Sequence, residues 1–576
     1  MGQTLVAFDT DHIKQYVFAT HRLKEIRGGS SCLDNLNRRA MVEEAKKFGA
    51  REVYANGGSG LFLVDGDREI AEQFGRSVQE AYERETKGGA SVSFAVQPLP
   101  PHLDPWKDER THDFLELLSY RLKQAKMTPP QTVVFPSHPF MRPCDSCGVR
   151  YAEKRDVIES ADPTEQDKRY CGVCLAKRQE DNRVKNDIKD AIKVLMKRRS
   201  QGMLSKEWDE DGYSYIWRKV IRKLLQEHNY KISEGTVRPS DFNELRGLSG
   251  SKDYLALIYA DGNGMGKVIG DCKQLTELGR VAQYIDDAVY HALSAAIARH
   301  LPVVQPEGER KEPMFPFDIL LIGGDDIVLV TPATVAMDVA LTLAREFCER
   351  TKQEEEKGRT LSVGVVLAPV KYPFGLLHDL AGSVLQFAKQ EGARRREEEK
   401  TSKYRDARIN FLVVAGSTSH DFKKVYASLH NKHVQVSGRH GDTAFYATLR
   451  PYTVEELERL LRVIREGRQS SLGRTKLHQI REAVLKMNLS TSVSDALAVL
   501  RNWKERQRQF VVTQVYEQAK HAQEARNFPD HPGSLFPRVT FPWFVDKDDS
   551  YRTALLDFVE LYDFVIPEGG NGGEES

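Results

Sequence analysis

The chain has 576 residues, more than one hydrophobic core can organise, so several domains are expected. Its 84 lysines and arginines nearly cancel its 83 aspartates and glutamates, which excludes a uniformly basic nucleic-acid-coating protein and makes charge a regional matter. The start lacks the basic region, apolar core and cleavage site of a secretory leader, and no run approaches eighteen consecutive apolar residues, so the expectation is a cytoplasmic protein without membrane contact.

Residues 1–98 alternate apolar strands with helical patterns. Thr4 to Phe8 reads as a strand, a helix starts near Asp11, and Val53 to Ala55 with Leu61 to Val64 reads as a hairpin. A helix over Ile70 to Glu85 and a strand over Ser91 to Val96 complete an α+β, ferredoxin-like order. The stretch from Arg22 to Asn37, with Lys24, Arg27, Gly28, Gly29, Arg38 and Arg39, is glycine-rich and basic; it reads as a phosphate cradle or as a flexible, solvated loop.

Residues 99–250 begin with proline clusters around one helical pattern, Asp113 to Lys126. Two Cys-x-x-Cys pairs follow, Cys144 with Cys147 and Cys171 with Cys174. This is the tetrahedral thiolate set that Zn²⁺ favours, and with four protein ligands it predicts a closed, structural site in a helical insert. Four of the seven cysteines are thereby used in a reducing compartment; Cys348 reads as a small apolar residue on a helix. Leu175 to Leu225 is helical and carries fourteen basic against eight acidic side chains, an excess that suits either a phosphate backbone or a solvated face. Trp208, Tyr213, Tyr215 and Trp217 lie among these charges and read better as core packing than as base-stacking platforms.

Residues 251–450 hold the chemistry. Tyr254 to Ala260 is a buried-strand run that ends at Asp261-Gly262-Asn263-Gly264, and Ile319 to Val330 is a hairpin whose tip reads Gly323-Gly324-Asp325-Asp326. Adjacent carboxylates at a tight turn repel each other unless a cation lies between them. Asp261, Asp325 and Asp326 together make the hard oxygen cage that Mg²⁺ or Mn²⁺ requires, the two-metal arrangement of nucleotidyl transfer. Gly323 and Gly324 let the backbone turn and leave room for a close ligand. Residues 451–566 read as amphipathic helices in a C-terminal bundle: Thr453 to Glu466, Arg474 to Lys486, Ser492 to Arg506, Phe510 to Arg526 and Tyr551 to Phe564. The tail, 567–576, reads as disordered.

The two α+β halves repeat each other. Phe8-Asp9-Thr10-Asp11 corresponds to Ala260-Asp261-Gly262-Asn263, and the hairpin from Tyr54 to Val64 corresponds to the acidic one, with Ser59 and Gly60 where Asp325 and Asp326 stand. The acidic hairpin, the preceding Asp strand, the cysteine pairs and the carboxylate-poor first copy, in this order, resemble the large polymerase/cyclase subunit of type III CRISPR effector complexes. Its palm domains are related to GGDEF diguanylate cyclases and adenylyl cyclases.

The resemblance implies two palm domains, the first degenerate and the second catalytic. It implies ATP as substrate, condensed into cyclic oligoadenylates when the complex meets target RNA, with guide RNA, target RNA and sibling CRISPR subunits as partners. Asp261 and Asp325 are implied metal ligands, Asp326 a ligand or a support for the 3′-hydroxyl, Gly262 a carbonyl ligand and Lys389 a contact to the triphosphate. Many relatives begin with an HD nuclease domain; this chain starts at the first palm and so resembles the form lacking it. Asn263 stands where another acid often appears, a neutral oxygen ligand that leaves the cage one charge weaker. Two other readings stay open: a catalytically silent scaffold subunit, and a stand-alone signalling cyclase, for which the hairpin lacks the Glu-Phe that follows in GGDEF proteins.

Overall fold

A computed structural model describes residues 2–127, 140–155, 168–202, 214–247, 253–305, 312–355, 358–395, 404–414, 421–435, 442–470, 472–512, 541–545 and 550–567. The first half runs β1 (Gln3–Asp11), α1 (Ile13–Val17), α2 (Leu23–Asn35), a π-helical turn (Leu36–Ala40), α3 (Met41–Lys47), β2 (Ala50–Asn56), β3 (Ser59–Val64), α4 (Arg68–Thr86) and β4 (Ser91–Leu99). The strands order β2-β3-β1-β4, the ferredoxin-like arrangement expected. Alternation divides the sheet. Val6, Phe8, Phe62 and Val64 join Ile26, Phe74 and Val78 of the helices on one face, whereas Leu5, Ala7, Leu61 and Leu63 turn to the other, where α5 (Thr111–Met127) lies against β1 and β4. Asp67 fixes the start of α4 by accepting from the backbone N–H groups of Glu69 and Ile70.

The glycine-rich basic stretch is neither a cradle nor a loop but the helix α2. A Cβ placed at Gly28 would fall 1.7 Å from the Lys177 carbonyl oxygen, so the glycines serve the close crossing of α2 on α6 (Gly172–Ser200). Arg27 and Arg38 are consumed inside, whereas Arg39 stays exposed beside Glu43. Arg27 is buried and donates to Asp181 at 2.9 Å and Asp318 at 2.7 Å, while Arg38 donates to Asp34 and Asp286.

The insert contains the cysteine knuckle, with the short strands β5 (Lys154–Arg155) and β6 (Arg169–Tyr170), then α6, α7 (Tyr215–Glu227) and α8 (Phe242–Gly247). Trp217 is buried and stacks on Phe317 at 5.9 Å, the packing role expected. Tyr215 sits edge-on to Tyr290 beside Arg38 and Lys219; Trp208 and Tyr213 lie outside the described residues. Three basic residues of α7 are paired with acids: Arg218 with Asp187, Lys219 with Asp286, Lys223 with Glu227 and Asp287. This part of the basic excess therefore holds helices together, while Lys189, Lys193 and Lys197 on α6 are among the exposed charges.

The second half repeats the plan: β7 (Tyr254–Gly262), α9 (Met265–Gly270), α10 (Leu275–His300), the hairpin β8 (Asp318–Gly323) and β9 (Asp326–Pro332), α11 (Ala336–Thr351) and β10 (Leu361–Pro369). α12 (Phe374–Arg395) and β11 (Ile409–Val413) follow, giving the order β11-β10-β7-β9-β8 with β11 parallel to β10. The C-terminal region departs from the expected all-helical bundle. α13 (Phe422–Ala427), β12 (His430–Gln435) and β13 (Asp442–Tyr446) precede α14 (Val454–Gln469), α15 (Arg474–Leu485), α16 (Leu489–Arg501) and α17 (Glu505–Phe510). Then come β14 (Phe544–Val545), β15 (Tyr551–Arg552) and α18 (Leu555–Leu561), and β13 pairs with β15 in a sheet that straddles the boundary expected at 450. The expected helix beyond residue 512 and the tail from 568 lie outside the described residues. No helix among the described residues is long and apolar enough to cross a membrane.

Candidate active site

Side-chain alternation places the carboxylates. On β7, Ala256, Ile258 and Ala260 pack with α10 and α11, whereas Leu255, Leu257 and Tyr259 pack with α12. Asp261 is next in the second set, and on β9 Asp326 precedes Val328 and Val330 on the same face. Ala260 pairs with Ile327 across the two strands, so one register step further brings Asp261 opposite Asp326 at the end of the sheet. Gly323 pairs with Asp326 and closes the tip around Gly324, at φ 61°, and Asp325. Asp325 leans back over Gly262: a Cβ there would lie 2.6 Å from its Oδ2.

The cation comes from α12. Gly364 on β10 lets that helix approach closely, since a Cβ would meet the Leu385 nitrogen at 2.7 Å and the Ala381 oxygen at 2.8 Å. Lys389 then reaches across the sheet end and donates to Asp261 Oδ2 at 2.6 Å and to the Gly262 carbonyl at 2.8 Å. Burial, and next the charge of Asp261, push Asp325 up to about 7 and Asp326 up to about 8. Beneath them lies Tyr259, its hydroxyl pushed well up by burial and by the three acids.

Asp261, Gly262, Gly323, Gly324, Asp325, Asp326 and Lys389 are thus brought together. Asn263 is not with them. Its amide donates to Thr360 Oγ1 at 3.1 Å and to the Asp406 carbonyl at 3.3 Å, and its oxygen accepts from Ser362 at 3.0 Å. The expected neutral ligand instead ties the end of β7 to β10 and the segment before β11.

Two residues that sequence reasoning passed over border the site from the first half. Lys14 on α1 lies 5.0 Å from the Tyr259 ring centre, and its charge is among those opposing the rise of Asp326. The Phe18 ring lies tilted against His378, centres 3.9 Å apart, and His378 in turn borders Tyr259; burial, and then Lys14, drive that imidazole down to about 4. No local motif marks either residue, because each matters only once the halves face each other.

They face through their hairpin tips. A Cβ at Gly57 would lie 2.7 Å from the Gly324 nitrogen and 2.9 Å from its Cα. The register also corrects the expected correspondence by one residue. Asn56 pairs with Ser59 as Gly323 pairs with Asp326, and Asp9 opposes Ser59, so Gly58 stands for Asp325 and Ser59 for Asp326. One element of the pattern survives in the first copy: Lys126 of α5 donates to Asp9 at 2.5 Å, as Lys389 of α12 does to Asp261.

The four knuckle cysteines converge as expected, their sulfurs within 4.8 Å of one another and three of the residues buried. Backbone N–H groups of Ser146 and Cys171 point at Cys144 Sγ, and that of Cys174 at Cys171 Sγ, where Cys171 caps α6. Such N–H···S bonds are the kind that orient cysteine sulfurs around a metal ion.

Comparison with known proteins places these features. Residues 254–397 match the family described as Cas10/Cmr2, second palm domain. A 182-residue stretch is 24% identical to the CRISPR system Cmr subunit Cmr2 of Pyrococcus furiosus, covering 28% of this chain and 20% of that protein, so the match spans about a fifth of the curated relative's length. The fold is similar to that of a crystal structure of a Csm1-Csm4 cassette in complex with AMPPNP, with a TM-score of 0.51 and 14% identity over 98% of this chain and 69% of that one. The corresponding cassette in complex with cA3 gives 0.51 and 14% over 98% and 70%. The resemblance to type III large subunits read from the acidic hairpin is borne out, and the hairpin lies inside the matched segment.

Proposed function

We propose that the chain is the large subunit of a type III CRISPR effector ribonucleoprotein, and that its second palm joins ATP into cyclic oligoadenylates when the complex holds target RNA. The observation that carries this is the convergence of Asp261, Asp325 and Asp326 at one sheet end, beside the Gly262 carbonyl and the Lys389 ammonium. These donors fit Mg²⁺ or Mn²⁺: they are hard oxygens, and two of the carboxyls are lifted by burial and by the charge of Asp261, a cost that a divalent cation relieves. Bound there, the ions supply activation of the attacking 3′-hydroxyl and neutralisation of charge on the leaving pyrophosphate.

The protein's own groups do the rest. Asp325 and Asp326 need to lose their protons before the cage forms, and Asp326, at the start of β9, would serve as a ligand or as a support for the 3′-hydroxyl. Lys389 at the Asp261 side and Lys14 at the Asp326 side put cations on both flanks, where phosphate oxygens would lie. The four knuckle thiols fit Zn²⁺, which would lock the N-terminus of α6 and take no part in turnover. Guide RNA, target RNA and sibling subunits are the partners this reading requires.

The test incubates the complex, assembled with sibling subunits and guide RNA, with labelled ATP and Mg²⁺ or Mn²⁺, with and without complementary RNA, and resolves products by mass. Oligoadenylate that depends on target RNA and vanishes in the Asp325→Ala, Asp326→Ala double variant is expected. Absence of product from wild type under either metal would favour the silent scaffold, and product from GTP the stand-alone cyclase.

A further inference from the structure

The C-terminal end of α7 and the facing turns of α10 and α11 gather a group that the proposed chemistry leaves unused. Glu227 and His228 close α7, His291 projects from α10, and one ligand atom from each lies within 4.8 Å of the others. His291 Nδ1 is 2.8 Å from Glu227 Oε2, and its Nε2 is 3.6 Å from Glu346 Oε2 on α11. The His228 and His291 ring centres are 5.8 Å apart. Both carboxylates are pinned from behind, Glu227 Oε1 by Lys223 at 2.8 Å and Glu346 Oε1 by Arg299 at 2.6 Å, so each turns its other oxygen towards His291. His228 Nε2 is buried and has no hydrogen-bond partner. A buried polar nitrogen left alone is costly, and a simple Glu227–His291–Glu346 bridge leaves it so.

We propose that Glu227, His228 and His291 hold a divalent transition-metal ion of the Zn²⁺ class, with Glu346 beside the remaining position, and that the ion staples the insert to the second palm. Two imidazoles and a carboxylate suit Zn²⁺, whereas Mg²⁺ prefers oxygen alone. Ligands about 2.1 Å from a tetrahedral ion stand roughly 3.4 Å apart, so the group closes on one by side-chain rotation.

The full-length chain, given one equivalent of Zn²⁺ for the knuckle thiols and excess Mg²⁺ for the acidic hairpin, is titrated with Co²⁺. Visible d–d absorption that saturates at one equivalent, without a new thiolate charge-transfer band, is expected. Affinity should fall at least tenfold in His291→Gln and in Glu227→Gln; Glu227 is exposed, so its variant reads the site even if the histidine change disturbs folding. Absence of that absorption, a thiolate band in its place, or unchanged affinity in the Glu227→Gln chain would overturn the proposal.

Discussion

Asp325 and Asp326 keep their protons over a range in which a free aspartate has lost them. A carboxyl raised from its usual value to about 7 or about 8 makes the native state the better proton binder, so the metal-free protein should lose stability as pH climbs from about 4 through about 8. Below that window both states are protonated and nothing is lost. Affinity for Mn²⁺ should move the opposite way, tightening as the protons leave. Melting curves of the metal-free chain across pH, repeated with Mn²⁺ and with the Asp325→Ala, Asp326→Ala double variant, test both directions: the variant should flatten the alkaline decline, and an equally steep decline there would place its origin elsewhere. Asn263 behaves otherwise. Removing its amide takes an acceptor from the Ser362 hydroxyl and a donor from Thr360 Oγ1 and the Asp406 carbonyl, so Asn263→Ala should cost about 1–3 kcal/mol of stability in denaturant unfolding while leaving Mn²⁺ affinity near wild type. The acids were legible in the sequence because two of them are adjacent and the third ends an apolar run. The partners of Asn263 lie about a hundred or more residues downstream, beyond the reach of any local pattern.

Between elements, glycine was the residue most easily misread. Gly28 and Gly29 beside arginines look like a loop, since glycine weakens a helix by roughly 1 kcal/mol relative to alanine; the tertiary contact with α6 outweighs that preference. A side chain cannot enter the crossing, and Gly28→Val should destabilise the chain by at least about 1–3 kcal/mol, whereas a solvated loop would tolerate it. Circular dichroism melts decide between the two. The knuckle was readable from spacing alone, and its mechanical role follows from Cys171, which caps a helix of 29 residues. Cys171→Ser should release a bound metal ion and lower the melting temperature together; wild type purified without metal, at unchanged stability, would contradict it. The hairpin repeat was legible too, but with a slip of one position, because two glycines in one copy invite alignment with two glycines in the other. Strand pairing resolves it, since one residue of shift moves every side chain to the opposite face. With Ser59 now opposite Asp9, Ser59→Ala should still leave the proposed oligoadenylate synthesis within a few-fold of wild type.

At the scale of the whole molecule, the two halves are fastened in at least two ways. Arg27 of the first half is bonded to Asp181 of the insert and to Asp318 at the start of the acidic hairpin, a buried junction of three regions. The tips then meet backbone to backbone, Gly57 against Gly323 and Gly324. No composition or periodicity announces such a meeting, which is why Lys14 and Phe18 went unnoticed as neighbours of Tyr259 and His378. Gly57 sits at φ 63° with no room for a methyl, so Gly57→Ala should leave each half folded while shifting the tips apart, and the proposed synthesis should drop by an order of magnitude or more without loss of secondary structure. Full synthesis in that variant would mean the tips need not touch. The same contact bears on how the repeat can drift. The first half keeps Asp9 but lacks the two hairpin acids, and its turn is the mould against which the acidic turn is cast. The turn without the hairpin acids is therefore bound by the steric demands of its twin, whatever its own chemistry.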